Sequence, residues 1–71
     1  MYAVIKSDGT RTYIDYYHNE RFKDIKDAKA CLQTMFKEVE ALGRNPEWLE
    51  PYMFRYYYGD KRIYARIGEL K

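Results

Sequence analysis

Cysteine occurs once in this chain, at Cys31, and histidine once, at His18, while proline appears twice and glycine four times among 71 residues. A single cysteine rules out an internal disulfide framework and a zinc quartet. His18 sits in a polar HNER connection with no second histidine or cysteine at ligand spacing, so it reads as a solvated loop histidine rather than a metal ligand or proton shuttle. No window approaches the run of about 18 apolar residues that a membrane helix requires. The first residues pass directly into YAVIK without an apolar leader. A soluble, cytoplasmic protein is therefore expected. The chain also lacks a glycine-rich phosphate loop, a nucleophile elbow and a pair of catalytic carboxylates. These absences together predict a protein that is not an enzyme and uses no cofactor or metal.

What is present is a globular composition with one excess. Apolar residues make up 46% and charged residues 34%, which suits a folded domain rather than a disordered one. Residues 1–71 are expected to form one small α+β domain, of the size that buries only about 60% of its unfolded surface. The excess is tyrosine: nine of the 13 aromatic residues are Tyr, a side chain suited to half-wet surfaces and interfaces.

The best-defined element is an amphipathic helix over Asp24–Leu42. Ile25, Ala28, Leu32, Met35, Phe36, Val39 and Leu42 recur at three- and four-residue steps and line one side. Asp24 suits the N-cap, Asp27 adds favourable charge to the first turn, and Gly43 suits the left-handed residue that ends many helices. Cys31 falls at the margin of the apolar stripe and reads as a packing residue, not a reactive thiol.

Two hairpins flank the helix in this reading. The first joins Tyr2–Lys6 to Arg11–Tyr17, and Asp8-Gly9 matches the two-residue turn that needs positive φ at both positions. That turn would oppose Ser7 to Thr10, Ile5 to Thr12 and Ala3 to Ile14. Ala3, Ile5, Thr12, Ile14 and Tyr16 would then face the helix, with Tyr2, Val4, Lys6, Arg11, Tyr13 and Asp15 outward. The second hairpin joins Tyr52–Tyr58 to Lys61–Ile67 through Gly59-Asp60. It would pair Tyr56 with Ile63, Phe54 with Ala65 and Tyr52 with Ile67 on the inner face. Outward it would pair Tyr57 with Arg62, Arg55 with Tyr64 and Met53 with Arg66. Between helix and second hairpin, Arg44–Pro51 reads as a short helical turn, with Asn45 as cap and Pro46 at the first position. Trp48 and Leu49 are expected to plug an end of the core. The predicted order is ββαββ: two β-hairpins form an antiparallel or mixed sheet, with the long helix packed on one face.

The functional reading rests on the outer face. Lys6, Arg11, Arg55, Arg62 and Arg66 stand there against Asp15, a balance of 5 − 1 = +4, leaving the remaining residues at 8 − 10 = −2. Tyr2, Tyr13, Tyr57, Tyr64 and Met53 are interleaved with them. Tyr, Arg and Met are enriched in protein interfaces. The expected function is thus a non-catalytic binding module, a small accessory or inhibitor-type protein that binds a protein partner or associates with itself. Single-stranded nucleic acid is the alternative ligand for the same face, with phosphates on the guanidiniums and bases stacked on the rings.

Overall fold

A computed structural model describes residues 1–9 and 14–70. The chain runs β1 (Tyr2–Ser7), β2 (Ile14–Tyr16), a 3-10 turn (Tyr17–Asn19), α1 (Ile25–Ala41), β3 (Glu47–Glu50), β4 (Met53–Tyr58) and β5 (Lys61–Glu69). The fold is α+β, but the order is ββαβββ rather than ββαββ. All five strands form one antiparallel sheet in the order β2-β1-β5-β4-β3.

α1 has the ends the sequence foreshadows. The Asp24 carboxylate accepts from the Lys26 backbone N–H at 3.0 Å. At the other end Gly43 takes φ +73°, its N–H donates to the Glu40 carbonyl, and the Arg44 N–H reaches back to the Val39 carbonyl at 3.2 Å. That six-residue closure consumes carbonyls the helix end would otherwise leave open. Ala28, Leu32, Met35 and Val39 are buried, while Ile25 and Leu42 at the two ends of the stripe are exposed. The stripe is thus shorter than its apolar residues suggest.

The second hairpin forms in the expected register. Tyr58 opposes Lys61, Tyr56 opposes Ile63 and Phe54 opposes Ala65. Gly59 has positive φ and Asp60 does not, as a type II′ turn requires. β4 begins at Met53, so Tyr52 lies in the preceding turn rather than across from Ile67.

The first hairpin differs. Ile5 opposes Tyr16, Lys6 opposes Asp15 and Ser7 opposes Ile14. The connection is therefore longer than the two residues expected from Asp8-Gly9, and the proposed partners Thr10 and Thr12 lie outside the described residues. The Ser7 hydroxyl accepts from the Gly9 N–H at 3.1 Å, a local bond that competes with a tight hairpin ladder. Past β2 the chain steps out through the 3-10 turn. Phe22 then exchanges both backbone hydrogen bonds with Tyr2, at 2.7 Å each.

The larger correction concerns which side of β1 meets the helix. β1 pairs with β5 so that Val4 opposes Ile67 and Lys6 opposes Ala65. Val4 therefore joins Leu32, Met35, Val39, Phe54, Tyr56, Ile63 and Ala65 in the core. Ala3 and Ile5, expected inside, lie on the side away from α1. The two faces of YAVIK are almost equally apolar, so alternation alone does not choose between them. The pairing with β5 does.

Arg44–Pro51 is the third difference. Asn45 takes φ +50° and caps no helix; Glu47–Glu50 instead forms edge strand β3, with Trp48 opposite Phe54 and a bulge at Leu49. Tertiary packing overrides the Asn-Pro signal here. Trp48 stacks on Phe36 with centroids 4.8 Å apart and meets Phe54 edge-on at 5.2 Å. An edge strand tolerates flanking prolines because its outer N–H groups have no ladder to serve.

Ile5 stays buried on the helix-free side because it lies over Gly68, where no side chain intervenes. A Cβ added at Gly68 would overlap Ile5 Cδ1 and stand 3.1 Å from its Cγ1. Gly68→Ala is expected to cost about 1–3 kcal/mol by overpacking. The penalty should shrink in an Ile5→Val background, and a double-mutant cycle of melting curves reads that coupling directly.

Candidate binding face

Among the described residues α1 covers one side of the sheet and no helix covers the other. From the second hairpin this open face receives Met53, Arg55, Tyr57, Arg62, Tyr64 and Arg66, as the pairs Met53–Arg66, Arg55–Tyr64 and Tyr57–Arg62 require. Tyr2 and Lys6, expected to join them, belong to the opposite, helix-facing side, because β1 is turned over. Arg11 and Tyr13 lie outside the described residues. Residues the sequence reading assigned elsewhere take the vacated places: Ala3, Ile5, Ile14 and Tyr16 fall on the open side, and the Arg21 guanidinium lies 5.3 Å over the Tyr16 ring. Parity along β1 and β2 already grouped these four; only the choice of side was hidden.

The electrostatics change with the geometry. Lys6 and Asp15 leave this side together as a cross-strand ion pair at 3.3 Å. Glu47 opposes Arg55 from β3 and accepts from its Nη2 at 2.5 Å, while Glu50 opposes Met53. Among the described residues the strands place Arg55, Arg62 and Arg66 against Glu47 and Glu50, a balance of 3 − 2 = +1, with Arg21 at the rim. Arg55 is the least available of the three. Its side chain is mostly covered, its guanidinium lies 5.4 Å over the Tyr57 ring, and its Nε is buried without a hydrogen-bond partner. Arg62 and Arg66 are exposed, whereas Met53, Tyr57 and Tyr64 are half-buried. The role of Glu47 had a faint signal in the sequence, the Glu-Trp alternation between two prolines, which becomes legible only once that segment is known to be a strand.

The Tyr17 ring packs against the core and its hydroxyl donates to the Glu38 carboxylate on α1. Burial foremost, then that hydrogen bond and the Glu38 charge, raise the Tyr17 hydroxyl pKa well above the ordinary tyrosine range. In the folded chain Tyr17 keeps its proton at pH values where the unfolded chain loses it, so its stabilisation is complete below about pH 10 and declines as pH rises further. Tyr17→Phe should remove a late-ionising component from a tyrosinate absorbance titration and flatten the alkaline loss of stability. Cys31 is half-buried, and burial first, then the Glu20 and Glu38 charges, hold its thiol above the usual value. That suppresses the thiolate form on which reactivity depends. No three His, Cys, Asp or Glu side chains among the described residues cluster to hold a metal ion. No helix among them is long and apolar enough to cross a membrane.

Comparison with protein-family models, curated proteins and solved structures returns no match.

Proposed function

We propose that this protein is a non-catalytic binding module whose open sheet face recruits a protein partner, in the manner of a small accessory or inhibitor protein. The observation that carries the reading is the pairing of half-buried Met53, Tyr57 and Tyr64 with a near-neutral charge on a face no helix covers. Aromatic, methionine and arginine side chains are what interface centres concentrate. Nucleic acid draws its affinity from many uncompensated cations, and Glu47 and Glu50 remove most of that attraction. Five strands at about 4.8 Å and about six residues at 3.3 Å give a face of roughly 24 by 20 Å. With its rim, that suits a compact interface below the usual 800 Å² or so per partner. Self-pairing along an edge is disfavoured, because β2 has three residues and β3 carries a bulge, two glutamates and flanking prolines.

The double variant Arg62→Glu, Tyr64→Ser tests this. Its melting curve should stay close to wild type, while partners captured by proximity labelling in the source cells disappear. Sedimentation of the wild type should give a monomer. Anisotropy with mixed-sequence oligonucleotides should show no binding tighter than about 10⁻⁴ M at physiological salt. Tight oligonucleotide binding that weakens log-linearly with salt and is lost in the variant would assign the face to nucleic acid instead, and a dimer that the variant dissociates would assign it to self-association.

A further inference from the structure

A second surface lies on the other side of the sheet, between α1 and β3. Phe36 floors a groove of about 390 Å³ whose walls are Gln33 and Lys37 on the helix and Trp48 and Pro51 on the strand side. Lys29, Gln33 and Lys37 are four residues apart and so stand in one row along α1. At the far end of that row the Lys29 ammonium sits 4.2 Å over the Tyr52 ring. Trp48 is 38% exposed although it is stacked on Phe36, so its apolar edge forms a shelf in the open groove. The charged group here is the Lys37 ammonium, beside the Gln33 amide, which both donates and accepts, and the Trp48 indole N–H. None has a hydrogen-bond or ion-pair partner among the described residues. No carboxylate lines the groove. Glu47 and Glu50 point to the opposite side of the sheet, and Glu40, the acidic residue on the adjoining turn of α1, stands outside the lining.

We infer that this groove binds an acidic peptide segment, with an apolar side chain seated against Trp48 and Phe36 and carboxylates held by Lys37 and Lys29. Charge complementarity selects that occupant. Lysine ammoniums beside an aromatic floor whose lining holds no carboxylate leave positive charge unmatched until a partner brings acceptors, and a long ammonium serves a carboxylate as a point charge without demanding fixed geometry. Phosphate-rich nucleic acid is the poorer match, since two lysines are a sparse set of cations and one face of the Trp48 ring is already taken by Phe36. The inference is independent of the open-face reading, because the two surfaces lie on opposite sides of the sheet.

Trp48 is the sole tryptophan, so its emission reports the groove directly. The probes are pools of short tryptophan-free peptides with one central leucine or phenylalanine, flanked in one pool by Asp and Glu and in the other by Lys and Arg. The acidic pool should shift Trp48 emission saturably and the basic pool should not. Lys37→Glu, at an exposed helix position, should leave the melting curve unchanged and weaken the acidic pool at least about fivefold. Arg62→Glu, Tyr64→Ser should leave this binding intact, which separates failure here from failure of the open-face reading. Equal response to both pools, no response to either, or unaltered binding in Lys37→Glu overturns the inference. A tighter response to an oligonucleotide than to the acidic pool overturns it too, and gives the groove to nucleic acid.

Discussion

Phe54→Ala is expected to cost about 3–5 kcal/mol, the range for removing a fully buried aromatic ring. Phe54 is inaccessible to solvent and touches three aromatic neighbours, Phe36 at 5.1 Å, Trp48 at 5.2 Å and Tyr56 at 5.9 Å between centroids. Its loss empties the place where α1, β3 and β4 meet, and neighbouring rings cannot collapse into it without breaking the Phe36–Trp48 stack. At roughly 0.05–0.15 kcal/mol per residue, a chain of this length has a total stability of about 4–11 kcal/mol. The substitution should therefore lower the melting midpoint by roughly 15 °C or more, and Trp48 emission should shift as its packing loosens. A melting curve like the wild type's would move the centre of the core elsewhere.

Val4→Asp is the second large effect and tests the orientation of β1. Val4 is 1% exposed among Leu32, Met35 and Ala65, so a carboxylate there has no partner and loses its hydration. The expected cost is several kcal/mol, the penalty for an uncompensated buried charge. Because burial raises the introduced carboxyl's pKa, the variant should be least unstable in acid and deteriorate as pH rises from the ordinary carboxylate range up through that raised value. Ile14→Asp, at an exposed position of β2, should be near neutral by comparison. Had β1 turned the side expected from the first-hairpin reading toward α1, Val4→Asp would sit in water beside arginines and cost almost nothing. Chemical denaturation at two pH values separates these outcomes.

The contrast between the hairpins explains what could be read before the fold was known. In β4 and β5 the inner set Phe54, Tyr56, Ile63 and Ala65 differs sharply from the outer set Arg55, Tyr57, Arg62 and Tyr64, and Gly59-Asp60 admits one short turn. Pattern and turn chemistry therefore agree on a register, and with it on most of the open face. In β1 the alternating sets Ala3/Ile5 and Val4/Lys6 are not separated by polarity. Their sides are decided by β5, some sixty positions away, and no local pattern encodes that pairing. The same holds for β3. Asn45-Pro46 carries a genuine helix-start signal, and the strand exists because Trp48 finds Phe36 and Phe54, a contact between segments that are separate in sequence. The helix was legible in both its caps and its apolar stripe, since each depends on neighbours within a turn or two. The charge of the open face was not, because Glu47 reaches Arg55 only after β3 has formed.

The strand order carries a consequence for how the molecule assembles. β1 and β5 lie side by side in the middle of the sheet, with Tyr2 across from Glu69 and Ser7 across from Tyr64. The central ladder thus joins segments separated by nearly the whole chain, and its closure entropy must be met before those contacts form. The β4–β5 hairpin and α1 can appear early from local contacts, yet neither completes a hydrophobic layer until β1 docks. On a ribosome, the first strand waits with Ala3, Val4 and Ile5 uncovered until the last one emerges.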